Sequence, residues 1–116
     1  FNYIPARLSA LFMLLASVIL QYRPRNAWKI WRRDRRNHAS PNSAQTESVC
    51  AGALGLRLAG DAIYHGVLHK KPYIGDALRE VEPFDIVRAN RLMVCTVFVA
   101  LVLLSAIAAP LLFCVL

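Results

Sequence analysis

The chain has 116 residues, enough for one ordinary domain, but 57% of them are hydrophobic and the mean hydropathy is +0.41, which makes a membrane protein the first class to consider. Fourteen Lys and Arg against seven Asp and Glu leave a charge of +7, a balance that fits acidic lipid headgroups, phosphorylated ligands or nucleic acid. Cys50, Cys95 and Cys114 stand in apolar or small-residue surroundings with no CxxC pair, so we expect inert thiols, with neither a disulfide framework nor a zinc site.

Phe1 is not followed by a basic n-region and a small-residue cleavage site, so no signal peptide is expected and the chain reads as a piece of a longer one. The first apolar run, LSALFMLLASVILQ, covers 14 residues from Leu8 to Gln21. It is short for a span unless Tyr3 and Arg7 reach outward to the headgroups, and an interfacial or re-entrant helix is the alternative. We expect a spanning or deeply inserted helix, residues 1–22. Next, YRPRNAWKIWRRDRRN carries seven basic residues (Arg23, Arg25, Lys29, Arg32, Arg33, Arg35, Arg36) against Asp34, and the positive-inside rule makes it cytoplasmic. Pro24 suits a first helical position, and Trp28 and Trp31 share a face at i and i+3. The expectation is a basic amphipathic helix lying at headgroup level; nucleic acid is not an expected partner beside a membrane helix.

In SVCAGALGLRLAG, Ala51, Gly55 and Ala59 recur every four residues, with Ser48 and Gly52 on a neighbouring row. Small residues at this spacing let a second helix approach closely. Each glycine costs about 1 kcal/mol of helix propensity, so a helix here needs such a packing reason. DAIYHGVLHKKPYIGD, broken by Gly66, Pro72 and Gly75, predicts a short hairpin or ordered loop. Asp85 after Pro83 is a candidate N-cap for a helix that leads into the last apolar run. That run, Met93 to Leu116, holds 24 residues without a charge, enough at 1.5 Å each to cross about 30 Å of hydrocarbon, with Pro110 near its end where a kink is tolerated. The fold class expected is therefore mainly α: a membrane-inserted helix near the N-terminus, a polar cytoplasmic segment over 23–92, and a transmembrane helix over 93–116.

Chemistry is concentrated in HASPNSAQTE. Ser40-Pro41 has the form of an N-cap followed by proline, so a helix is expected to open there, with Asn42, Ser43 and the first-turn amides at its positive end. Plain capping and the binding of phosphate or carboxylate are both open readings. Glu47 is either a surface acid that complements the dipole or a metal-binding or base carboxylate, and His38 is a phosphate contact or a general acid/base. His65 and His69 are four apart in a non-helical context and are not expected to bind metal. Asp34, Glu47 and Asp76 are too scattered to argue a magnesium site from spacing. No Walker A, GxGxxG, HExxH or GxSxG pattern is present.

NYIPARLSAL, WRRDRRNHASPNSAQTESVCAGALGLRLAG and KPYIGD, in this order, closely resemble the carboxy-terminal part of the CobD/CbiB family, the adenosylcobinamide-phosphate (cobinamide) synthases of cobalamin biosynthesis; the similarity runs from Asn2 to about Met93. The resemblance implies a multi-pass enzyme of a bacterial or archaeal inner membrane. It implies an ATP-dependent amide-forming ligase, which attaches aminopropanol or its phosphate to a propionate of adenosylcobyric acid. ATP and magnesium (Mg2+) are the implied cofactors, and other membrane enzymes of the pathway are implied partners besides lipid and the substrates. On this resemblance Asp34, His38 and Glu47 are the catalytic candidates, with Asp34 and Glu47 also the metal candidates. Asn2, Arg7, Arg33, Ser40, Asn42, Ser43 and Lys71 are the candidates for holding substrate or phosphate. The pattern departs from the family at Ala44-Gln45-Thr46 and at Leu58-Ala59-Gly60, which we expect to tune packing. The paired aspartates that usually precede the first motif are not in the chain, so 1–116 alone is expected to be inactive. A non-catalytic membrane protein of the same superfamily, AmpE-like and involved in signalling, is the alternative; a transporter subunit ranks last, because the last span carries no charge.

Overall fold

The reversal after the first apolar run is made without a glycine. In the computed structural model, which describes residues 3–36, 42–59, 62–69 and 73–116, helix α1 (Tyr3–Ile19) is followed by Gln21 in the left-handed region at φ 57°. The Tyr22 N–H donates to the Ser17 carbonyl at 2.8 Å and the Gln21 N–H to the Val18 carbonyl at 3.1 Å, the paired bonds of a Schellman end. Arg23 is left-handed as well (φ 41°), and Pro24 then opens α2 (Pro24–Asp34), where its fixed φ and missing N–H are no handicap.

Ala27, Ile30, Trp31 and Asp34 form the buried row of α2, while Arg25, Lys29, Arg32 and Arg36 stay exposed. That row meets helix α3 (Ser43–Leu54): Trp31 Nε1 donates to Gln45 Oε1 at 3.0 Å, and the Asn26 amide donates to the Gly52 carbonyl at 2.8 Å. This corrects the expectation that both tryptophans serve as outward-facing aromatic anchors. Trp31 is a core residue, 7% exposed, and only Trp28, 47% exposed with its ring centroid 5.3 Å away, faces outward. A 3.6-residue period shows that a helix has an apolar face, but it does not say whether lipid or protein covers it.

Helix α3 is the centre of the molecule. Gln45 and Gly52 face α2; Val49 and Ala53 join Ala10, Met13, Leu14 and Ala16 of α1 in the main core; Ala44 and Ala51 pack with Ile74 in a second cluster. A helix covered on every side needs small residues on every side, which accounts for its composition. It is described from Ser43, with Asn42 as a right-handed N-cap whose side chain makes no capping hydrogen bond. The helix start expected at Ser40-Pro41 lies outside the described residues. The row Ala51, Gly55, Ala59 is also corrected: α3 stops at Leu54, Gly55 turns left-handed at φ 70°, and Ala59 is in a strand. Within the Ser48–Gly52 row, Gly52 does let two helices come together, since a Cβ on it would lie 2.7 Å from Ala27 Cα.

Beyond α3, β1 (Leu58–Ala59) pairs antiparallel with β4 (Tyr73–Ile74), Leu58 opposite Ile74; β2 (Ala62–Tyr64) pairs with β3 (Val67–His69) through His65-Gly66. Both turn residues have positive φ, 53° and 76°, as a two-residue hairpin turn requires, so the expected hairpin is present. The last helix, α4 (Asp85–Val115), begins eight residues before the charge-free run. Its N-cap is Phe84, and the Asp85 carboxylate instead accepts the Glu82 N–H at 2.7 Å, which corrects Asp85 as the cap. At 31 residues α4 is about 46 Å long. It is the one helix among the described residues long and apolar enough to cross a membrane, and only 6% of its most apolar window is buried. Its projection stretches the molecule to 61 × 31 × 23 Å. Helix α1 is apolar too but has 17 residues, about 25 Å.

Candidate functional site

Asp34, the last residue of α2, is buried, and three donors converge on it. Its Oδ1 accepts from Arg33 Nε at 2.9 Å; its Oδ2 accepts from Arg33 Nη2 at 2.8 Å and from the Gly75 N–H at 2.7 Å. Arg33 reaches further, donating from Nη1 to Asp76 Oδ2 at 3.0 Å, with Nη2 2.9 Å from Asp76 Oδ1. One guanidinium thus holds two carboxylates, and the end of α2 is tied to the exit of β4. Gly75 is at φ 87°, and a Cβ there would collide with the Leu56 carbonyl and lie 2.9 Å from Ala51 Cβ. Only glycine lets this amide point into Asp34.

The electrostatics follow from these bonds. Hydrogen bonds to Asp34 and then Asp76 hold the Arg33 guanidinium above its usual range, and the bond from Arg33 holds Asp76 below the usual carboxylate range, with the nearby Lys29 charge adding to it. Bidentate Arg–carboxylate pairs of this kind combine strength with fixed geometry. Asp76 remains 38% exposed while Asp34 is 4% exposed, so the cluster has an inner, fixed partner and an outer, accessible one.

Of the residues predicted from sequence, Arg33 and Asp34 come together, and Asp76, set aside as too distant in the chain, joins them. Asn42 and Ser43 stand at the start of α3. Glu47, one turn further on, makes no ion pair among the described residues. Its charge is felt at Cys50, whose thiol is pushed up to about 11 by burial first and then by Glu47 and Asp85, in keeping with an inert thiol. Arg7 lies on the first turns of α1, 3.3 Å above the Tyr3 ring, and donates to the Tyr3 carbonyl at 3.0 Å. Asn2, His38, Ser40 and Lys71 lie outside the described residues.

Sequence reasoning missed a second cluster. Arg79 donates from Nε to the Leu54 carbonyl at 3.0 Å, closing the end of α3, and its two terminal nitrogens grip the buried Asp85 carboxylate. Arg88 adds bonds to Asp85 at 3.0 Å and Glu82 at 3.1 Å. This network joins α3 to the base of α4. Nothing in the spacing of Arg79 and Asp85 marks it, because it rests on where the 75–84 loop runs.

The family model of the CobD/Cbib protein matches residues 1–93. The chain belongs to the CobD/CbiB family. It is 47% identical over 102 residues to the cobalamin biosynthesis protein CobD of Clostridium perfringens, covering 88% of this chain and 32% of that protein. It is 48% identical over 104 residues to the Streptococcus sanguinis protein of the same name (90% and 33%), and 46% identical over 105 residues to the cobalamin biosynthesis protein CbiB of Salmonella typhimurium (90% and 33%). The CobD/CbiB chain described here therefore spans about a third of the length of these curated relatives. No solved structure matches it. The matched region takes in α1, α2, α3, the strands and the start of α4, and so both charged clusters of this CobD/CbiB chain.

Among the described residues no three His, Cys, Asp or Glu side chains assemble as a metal group. Both oxygens of Asp34 accept hydrogen bonds, which fixes the orientation of its carboxylate.

Proposed function

We propose that this CobD/CbiB protein, as part of a longer chain, is an enzyme of cobalamin biosynthesis that joins aminopropanol or its phosphate through an amide bond to a propionate carboxylate of adenosylcobyric acid. The observation that carries the reading is the Arg33–Asp34–Gly75–Asp76 cluster, which unites the two polar blocks of the sequence across 41 to 43 positions. Asp34 holds Arg33 in a fixed fork, and an incoming carboxylate or phosphate has the shape and charge to replace the exposed Asp76 on that fork. Arg7, Asn42 and Ser43, with Asn2, Ser40 and Lys71, are the further anion contacts of this proposal. Glu47 or His38 takes the proton that the attacking amine must lose. ATP supplies the activation of the carboxylate, and Asp34 and Glu47 are the carboxylates that would hold the accompanying magnesium ion. The protein sits in the cell's inner membrane through α4, with the polar segment on the cytoplasmic side, where its arginine-rich loop is favoured.

The test is complementation of a cobinamide-synthase-deficient bacterium fed cobyric acid, using the full-length gene. We expect growth with the wild type and a loss of product formation of at least about tenfold in Arg33→Lys, which keeps the charge but not the fork. Failure of the wild type to support growth would overturn the function. Full activity in Arg33→Lys, Glu47→Gln and Asn42→Ala would overturn the site.

A further inference from the structure

Helix α4 leaves the folded part of the protein past two arginines with different circumstances. Arg88 is committed to Glu82 and Asp85. Arg91 is exposed, has no carboxylate partner among the described residues, and rests 5.5 Å from the Phe84 ring. From Arg91 the same side of α4 continues through Cys95, Phe98 and Val102, four, three and four residues apart. Leu15, Val18 and Ile19 of α1, with Leu20 just after it, form the facing wall. Two open surface grooves of about 490 and 470 Å³ adjoin at Cys95 and Phe98, the first beside Asn90, Arg91 and Leu20 and the second between α1 and α4, and end to end they make a shallow channel along α4 from Arg91 to Leu103.

We propose that this channel binds an acyl chain of an anionic phospholipid, with the lipid phosphate on Arg91. The proposal rests on α4 crossing a membrane. The twelve steps along α4 from Arg91 to Leu103 rise about 18 Å, close to half of a hydrocarbon core about 30 Å thick, so the channel is one leaflet deep. Its only charged lining residue is a cation at the shallow end, the complement of an anionic headgroup. A helix from elsewhere in the protein is a poorer occupant. Close helix contacts in membranes favour small residues, whereas this channel is walled mainly by Leu, Val, Ile and Phe.

The experiment is native mass spectrometry of the detergent-purified protein after equilibration with equimolar phosphatidylglycerol and phosphatidylcholine. The wild type is expected to retain phosphatidylglycerol preferentially, by about fivefold for one basic residue at an anionic surface. Arg91→Gln should lose the preference while still carrying lipid, and Val102→Trp, which fills the channel, should lose the retained lipid altogether. Leu112→Trp, at a position outside the channel, should behave as wild type. Equal retention of the two lipids by the wild type, or an unchanged preference in Arg91→Gln, would sink the proposal. So would a wild type that carries no lipid and whose Cys95 resists a membrane-permeant maleimide, the sign of a helix in the channel. Alkaline carbonate extraction of the same material separates the two readings. Release from the membrane defeats the membrane reading itself, while retention without lipid preference defeats only the lipid site.

Discussion

Gly75 and Gly66 are both left-handed, at φ 87° and 76°, yet they answer to different constraints. A Cβ on Gly75 would run into the Leu56 carbonyl, whereas nothing lies within 4 Å of one on Gly66. Gly66→Ala should therefore cost only the backbone penalty, about 1–2 kcal/mol. Gly75→Ala should add a steric clash and pull the amide off Asp34, for a total beyond the roughly 1–3 kcal/mol of a strained residue. Urea midpoints of the two variants, measured side by side, check the order. Asp76 gives a pH signature. Its folded-state pKa is depressed by Arg33, below an unfolded value near 3.9. Its stabilising contribution is thus fully present above about pH 4 and disappears as pH falls through the lowered value. Asp76→Asn should lower the urea midpoint at pH 7, and the gap to wild type should close at the acid end; a gap of constant size from neutral to acid pH would show that the ion pair contributes nothing.

At the scale of elements, the α2–α3 contact decides the fold. Gly52→Ala would improve helix propensity by about 1 kcal/mol, yet its Cβ would sit 2.7 Å from Ala27 Cα and 2.8 Å from the Asn26 carbonyl oxygen. The variant should be less stable than wild type, and a raised melting temperature would show that α2 can move away. Trp31→Phe keeps most of the apolar contact but strips Gln45 Oε1 of its donor at a buried site, which should cost about 1–3 kcal/mol; adding Gln45→Leu should recover part of it. These elements also show what a sequence can convey. The His65-Gly66 hairpin and the apolar body of α4 were legible because turn chemistry and charge-free length are local properties. The turn at Gln21 and Arg23 was not, since both adopt left-handed backbone without being glycine. Nor was the lower face of α2, because period alone does not say what covers it. In the candidate site, Arg33 and Asp34 were legible as charged residues in a dense motif. Their partner Asp76 was not, because a contact across 43 positions exists only once β4 has packed along α3.

At the scale of the whole molecule, the largest unmet demand is the surface of α4. Leu101, Val102, Ile107, Leu111 and Leu112 are each more than half exposed, a naked helix that water would not tolerate over such a length. If α4 crosses the bilayer with Asp85, Arg88 and Arg91 on the cytoplasmic side, Cys114, 21 residues after Met93 and about 32 Å away along the axis, must emerge on the opposite face. The native cysteines make this measurable without replacing any of them. Cys50 has its thiol pushed up to about 11 and stays protonated at neutral pH, and Cys95 lies within the apolar channel between α1 and α4. That leaves Cys114, which is exposed, as the thiol that an impermeant maleimide should reach. We expect intact cells to label Cys114. A His65→Cys variant, placed at the exposed tip of the hairpin, should gain a second label only when the cytoplasmic face is opened. Labelling of both positions from the same side would mean that α4 does not span, and its apolar surface would then have to be covered by protein instead of lipid.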